Sequence, residues 1–124
     1  MNEENLKPNG RGLNRIARAT ECSIKGLKAA WQNEAAFRQE VIMCALLIPL
    51  GIYLGETGLE RALMISCLLL IIIIEIMNTA VEAVVDRIGI QRHILSGLAK
   101  DLGSAAVAIS LLNCVLVWGF ILVG

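Results

Sequence analysis

The stretch Glu75-Ile76-Met77-Asn78-Thr79-Ala80-Val81-Glu82-Ala83-Val84-Val85-Asp86 runs on without a breaker from an apolar segment at residues 62–74. As a helix turning about 100° per residue, it carries Glu75, Asn78, Thr79, Glu82 and Asp86 on one stripe roughly 100° wide. The remaining faces are apolar enough for lipid. Carboxylates in a hydrocarbon-length helix cost several kcal/mol each, so these must face protein, water, a cation or a ligand. A polar seam, with Asn78 and Thr79 hydrogen-bonding a neighbouring helix, is one reading of the pattern. The aligned acids favour a functional one. Carboxylates at this spacing suit Mg²⁺, which takes one or two of them together with the oxygens of a phosphate substrate.

The whole chain has the character of this stretch. Of its 124 residues, 56% are hydrophobic and only 4% aromatic, with a mean hydropathy of +0.69. Three long apolar runs then describe a single all-α integral membrane domain, residues 1–124. The formal net charge of zero conceals segregated charges. Cys22, Cys44, Cys67 and Cys114 show no C-x-x-C spacing, and three lie in apolar runs where cysteine acts as a small hydrophobe. Neither a disulfide framework nor a zinc site is indicated. His93 is the sole histidine, which excludes a His-based metal cluster within one chain. The polar first forty or so residues do not read as a cleavable signal sequence, so the first membrane helix is expected to direct insertion.

Taken in order, residues 1–12 read as a flexible tail broken by Pro8, Gly10 and Gly12. Residues 13–32 change period. Leu13, Ile16, Thr20, Ile24, Leu27 and Trp31 share one helical face, and Arg11, Arg15, Arg18, Lys25 and Lys28 cover the adjoining one. This is the pattern of an amphipathic helix lying in the membrane interface. Glu34 and Arg38, at i and i+4, can pair within a helix, or Glu34 can meet the water-side end of the acidic stripe. Membrane helices are expected at 35–54, with Pro49 bending it, at 59–86, and at 101–123. Thr57 and Glu60 fit a capping box, and Ser96 is a candidate N-cap between the breakers Gly89 and Gly97. A helix from Arg61 to Asp86 extends roughly 37 Å against a ~30 Å hydrocarbon core, so Glu82 belongs at headgroup level and Glu75 about two turns deeper.

Residues up to Arg38 hold seven Lys and Arg, residues 87–100 hold three, and the first turn region holds only Arg61. By the positive-inside rule the N-terminus is cytoplasmic and the C-terminus outside. The acidic stripe then opens toward the ATP-containing side. Graded carboxylates, a basic interfacial helix and the loop cations Arg92, His93 and Lys100 are parts for bringing a Mg²⁺-bound polyanion to a hydroxyl at the membrane surface. Phosphoryl transfer needs little more than such positioning and charge neutralisation. No P-loop, kinase Gly-rich loop or D-F-G occurs, so a kinase here is of neither soluble type.

Three segments carry a resemblance. Asn33-Glu34-Ala35-Ala36-Phe37-Arg38-Gln39-Glu40, then Glu75-x-x-Asn78-x-x-x-Glu82-Ala83-Val84-Val85-Asp86-Arg87, then Ala99-Lys100-Asp101-x-Gly103-Ser104-Ala105-Ala106 resemble, in order, the signature segments of the prokaryotic diacylglycerol kinases. The resemblance runs from about Arg15 to Trp118. It implies a three-span lipid kinase of the bacterial inner membrane that makes phosphatidic acid from MgATP and diacylglycerol, working as a homotrimer with sites shared between subunits.

By the same resemblance, Glu75 is the proton acceptor for the lipid hydroxyl, Asn78 orients groups beside it, and Glu34 and Glu82 hold the metal. Those two carboxylates, with Arg15, Cys22, Gln91, Arg92, His93, Lys100 and Asp101, form the nucleotide side. Arg15, Lys28, Ala29, Ala30, Trp31, Phe37, Arg38, Gln39, Glu40, Glu75, Ser104 and Trp118 form the lipid side. The chain departs from the family pattern at Cys22, where relatives carry an aromatic residue, and at Gln91 and Ile94, where they carry acids. An undecaprenol kinase is the alternative within enzymes, because Gram-positive relatives with similar cores prefer that acceptor. A proton- or cation-conducting membrane protein is the alternative outside them, since membrane carboxylates also build proton relays. No internal repeat of the transporter kind accompanies it.

Overall fold

The computed structural model describes residues 11–89 and 93–124. Four helices appear among them: α1 (Leu13–Asn33), α2 (Ala35–Leu54), α3 (Gly58–Ile88) and α4 (Ile94–Val123). The chain divides into two compact units, one ending at Asn33 and carrying α1, the other running from Glu34 onward. The last three helices are each long and apolar enough to cross a membrane.

In α1 the face foreseen as apolar is solvent-accessible along its length, at Leu13, Ile16, Ile24, Leu27 and Trp31. That is the form of a helix whose apolar side is meant for an interface other than its own unit. Gly12 opens it at φ +64, a left-handed backbone that glycine adopts without steric cost. Its carbonyl accepts the Ile16 N–H at 3.3 Å. Thr20 and Ser23 bond back to the carbonyls of Ile16 and Ala19, each at 2.8 Å, and Glu21 pairs with Lys25 at 3.5 Å. These polar groups bond within the helix itself.

Glu34 ends the first unit's helix by going extended (φ −118, ψ 106). Its carbonyl takes the Arg38 N–H at 3.2 Å and so starts α2, while its side chain makes no capping bond. The α2 helix continues through Pro49 to Leu54. The turn to α3 is built as its sequence foretells. Thr57 Oγ1 accepts from Glu60 N at 3.1 Å, and Glu60 Oε2 accepts from Thr57 N at 3.3 Å and from Glu56 N at 2.7 Å. Arg61 Nε donates to Ile52 O at 2.9 Å across the turn. Gly55 is required there, because a Cβ would come within 2.6 Å of Arg61 Cγ.

α3 is the central helix and packs against both α2 and α4. Met64, Leu68 and Ile71 are its fully buried residues; Leu68 and Ile71 cluster with Cys44 of α2, Cys67 of α3 and Cys114 of α4, and the last two place their sulfurs 3.2 Å apart. Trp118 Nε1 donates to Met64 O at 3.1 Å, binding α4 to α3 toward the far end. Outward-facing side chains such as Leu46, Leu69, Ile73, Ile109, Leu112 and Val115 are apolar and exposed, as lipid contact demands.

One expectation is corrected. Ser96, foreseen as a candidate N-cap, lies with Gly97 inside α4, which begins at Ile94. His93 takes the cap instead: its Nδ1 accepts the Leu95 N–H at 3.1 Å and its carbonyl the Gly97 N–H at 3.0 Å. A single glycine costs a helix only ~1 kcal/mol, which a thirty-residue apolar helix absorbs.

Candidate active site

The buried stripe of α3 runs Met64, Leu68, Ile71, Glu75, keeping the i, i+4, i+7, i+11 spacing of one helical face. Asn78 and Glu82 continue it, half-buried, and Asp86 ends it in the open. The face that packs the core therefore turns polar at Glu75 without changing direction. Glu75 keeps only 4% of its surface exposed. Glu82 follows seven residues later, about 10 Å along the axis.

Each neighbouring helix adds to this stripe. From α2, Glu40 brings its carboxyl within side-chain hydrogen-bonding reach of Glu75. Glu34 and Glu82 are close enough for their charges to act on Glu75. Carboxylates so placed repel one another, and burial removes the water that would screen them, so the cluster calls for a cation or a shared proton. Asn78 Nδ2 donates to Glu82 Oε1 at 3.5 Å, a long bond. Glu40 Oε2 and Asn78 Oδ1 are buried with no hydrogen-bond partner among the described residues. From α4, Lys100 Nζ pairs with Asp86 Oδ1 at 2.9 Å and lies within electrostatic reach of Glu82. Gly103 backs directly onto Asn78, and a Cβ there would overlap Oδ1.

The donors of this cluster are all hard oxygens, the set that Mg²⁺ takes. Among the described residues no three His, Cys, Asp or Glu groups converge tightly enough to hold an ion by themselves. An orphaned buried carboxylate oxygen and two further acids nonetheless fit an ion that arrives with a phosphate substrate and completes its shell from it.

Glu34, Glu40, Glu75, Asn78, Glu82 and Lys100 are thus brought together. Phe37 is buried near the start of α2, Arg38 is half-buried and Gln39 exposed; Asp101 and Ser104 are exposed on α4 beside Lys100. Trp118 stands apart. It lies fourteen residues beyond Ser104, about 21 Å along the helix, against Met64 and Gly51. His93 spends Nδ1 on the α4 cap. Arg15, Cys22, Lys28, Ala29, Ala30 and Trp31 belong to the α1 unit, where Ala30 is buried and the others are exposed. Gln91 and Arg92 lie outside the described residues. Two participants were not singled out from the sequence. One is the pairing of Asp86 with Lys100, for which opposite charge was the sole signal. The other is Gly103, which stands among the fixed positions of the third signature segment but was given no role there.

Comparison with known proteins agrees with this architecture. Residues 21–122 match the family model described as prokaryotic diacylglycerol kinase. The chain is 53% identical over 111 residues to a diacylglycerol kinase of Haemophilus influenzae, covering 90% of this chain and 94% of that one. It is 49% identical over 114 residues to a diacylglycerol kinase of Escherichia coli K12, covering 92% and 93%. A diacylglycerol kinase of Helicobacter pylori is 39% identical over 119 residues, covering 96% and 93%.

Proposed function

This chain belongs to the prokaryotic diacylglycerol kinase family and is a diacylglycerol kinase of the inner membrane; on that premise we propose that it uses MgATP, with Glu75 taking the proton of the lipid hydroxyl. The observation that carries the assignment is the position of Glu75, buried where the inner stripe of α3 passes from Ile71 to Asn78. A lipid hydroxyl at that depth has hydrocarbon beside its tails and the polar stripe beside its head.

The hydroxyl oxygen forms a bond to the γ-phosphorus as the bond to the β–γ bridging oxygen breaks. ADP leaves and the hydroxyl proton passes to the Glu75 carboxylate. Glu34 and Glu82 would hold Mg²⁺, which supplies neutralisation of charge on the phosphate oxygens when bound. Asn78 orients Glu82. Lys100 and Asp101, with Gln91, Arg92, His93, Arg15 and Cys22, take the nucleotide. On the lipid side stand Lys28, Ala29, Ala30, Trp31, the segment from Phe37 to Glu40, Ser104 and Trp118. A homotrimer with shared sites is the assembly in which these segments serve one reaction. The N-terminus faces the cytoplasm and the C-terminus the outside, the orientation that the Lys and Arg distribution supports.

The test is transfer of labelled phosphate from MgATP by the purified protein in mixed micelles, with diacylglycerol and undecaprenol offered together. Labelled phosphatidic acid as the main product, lost in Glu75→Gln, supports the proposal. Labelled undecaprenyl phosphate as the main product moves the acceptor and overturns the lipid assignment. Full activity in Glu75→Gln removes its assigned role.

A further inference from the structure

Gly103 has a position that its helix does not explain. It lies in the interior of α4, one turn after Lys100, where a glycine lowers helix stability relative to alanine. A methyl group built on it would overlap Asn78 Oδ1, with Asn78 Cγ at 3.2 Å and Asn78 Cβ at 3.8 Å. The three nearest atoms all belong to this one side chain. Ordinary close packing of helices would bring up several residues or a neighbouring backbone.

The amide of Asn78 has a donor end and an acceptor end. Its Nδ2 donates to Glu82 Oε1, so Oδ1 must turn the opposite way, into the seam beside Gly103. No donor awaits it there among the described residues. Burying an unpartnered carbonyl is costly, and the other end of the amide meets Glu82 Oε1 at 3.5 Å. A side chain at position 103 would need the same space. Asn78 would then rotate, and Nδ2 would leave Glu82.

We propose that Gly103 is a positioning residue: its lack of a side chain keeps the Asn78 amide turned so that Nδ2 stays on Glu82. The inference rests on the site proposed above, in which Glu82 holds Mg²⁺. By occupying Oε1 from the side, Asn78 limits how the Glu82 carboxylate can turn and what it presents to a cation.

Four full-length proteins in detergent micelles test this: the parent, Gly103→Ala, Asn78→Ala and the double variant. In Gly103→Ala, turnover falls roughly hundredfold, the loss that a misplacement of about 1 Å brings. The Mg²⁺ concentration for half-maximal rate rises, while KM for diacylglycerol holds. The heat-unfolding midpoint drops on the order of 5 °C, as overpacking requires. Adding Gly103→Ala to Asn78→Ala lowers the midpoint no further, since the methyl's nearest known neighbour is then Asn78 Cβ at an ordinary 3.8 Å. An equal midpoint loss in both backgrounds overturns the proposal, because the methyl then meets something other than Asn78. So does a Gly103→Ala protein with the parent's Mg²⁺ requirement. Should Asn78→Ala itself keep full turnover and Mg²⁺ requirement, the site reading fails, and the midpoint comparison still judges the contact.

Discussion

Lys100 Nζ lies 2.9 Å from Asp86 Oδ1, so the water-side end of α3 is tied to the first turns of α4 by one ion pair. Both side chains are largely open to solvent, which limits what the pair contributes to stability. Asp86→Asn should move the heat-unfolding midpoint by no more than about 2 °C. Its turnover should stay within roughly threefold of the parent, because Lys100 keeps its charge. Lys100→Met, in contrast, should lose on the order of a hundredfold in turnover, the scale of removing one group that stabilises transferring charge. Steady-state kinetics on the two variants checks the contrast.

Glu75→Gln should abolish phosphate transfer by roughly 10²–10⁴-fold, the usual contribution of a positioned proton acceptor. The amide has nearly the carboxyl's volume and can donate to Glu40, whose carboxyl already meets position 75. Stability should therefore hold or rise. Circular dichroism melts beside the kinetic assay separate a chemical loss from a folding loss.

Leu68 is fully buried, and its sequence neighbour Leu69 is 48% exposed. Leu68→Ala should destabilise by about 2–3 kcal/mol through lost packing and a cavity between α2, α3 and α4. Leu69→Ala should stay within about 0.5 kcal/mol, since lipid refills the space. Unfolding titrations of the two variants with a denaturing detergent measure the difference.

Trp118→Phe removes the indole donor from Met64 O while keeping an aromatic ring against Gly51. The loss should be about 1 kcal/mol, the net value of one hydrogen bond. Turnover at saturating lipid should hold while KM for diacylglycerol rises, because Trp118 is assigned to the lipid side and stands about 21 Å along α4 from Ser104. The same titration, paired with kinetics, reads both.

Much of the fold was legible in linear order because its signals are local. The apolar stretches, the Thr57–Glu60 box and the change of period in α1 each rest on residues within a few turns of one another. The N-cap of α4 was misplaced for a related reason. Ser96 and Gly97 look like punctuation, yet the cap belongs to His93, and a long apolar helix tolerates both residues in its interior. The acidic stripe was also visible, since one helix carries it. Its partners were harder to see: nothing near Glu75 in sequence announces that Glu40 lies across from it, or that Gly103 backs Asn78.

By itself the sequence determined that three helices cross a membrane, that one of them carries acids on a single face, and that an amphipathic helix precedes them. These follow from hydropathy and from the 3.6-residue period, which act within a segment. Only the tertiary structure decided that the acidic face of α3 is the same face that packs the core. It also decided that Glu40 and Glu75 meet, that Asp86 binds Lys100, and that Asn78 is held between Glu82 and a glycine. Those contacts join residues that are distant in the chain, and their geometry depends on how far each helix is turned and shifted against the next.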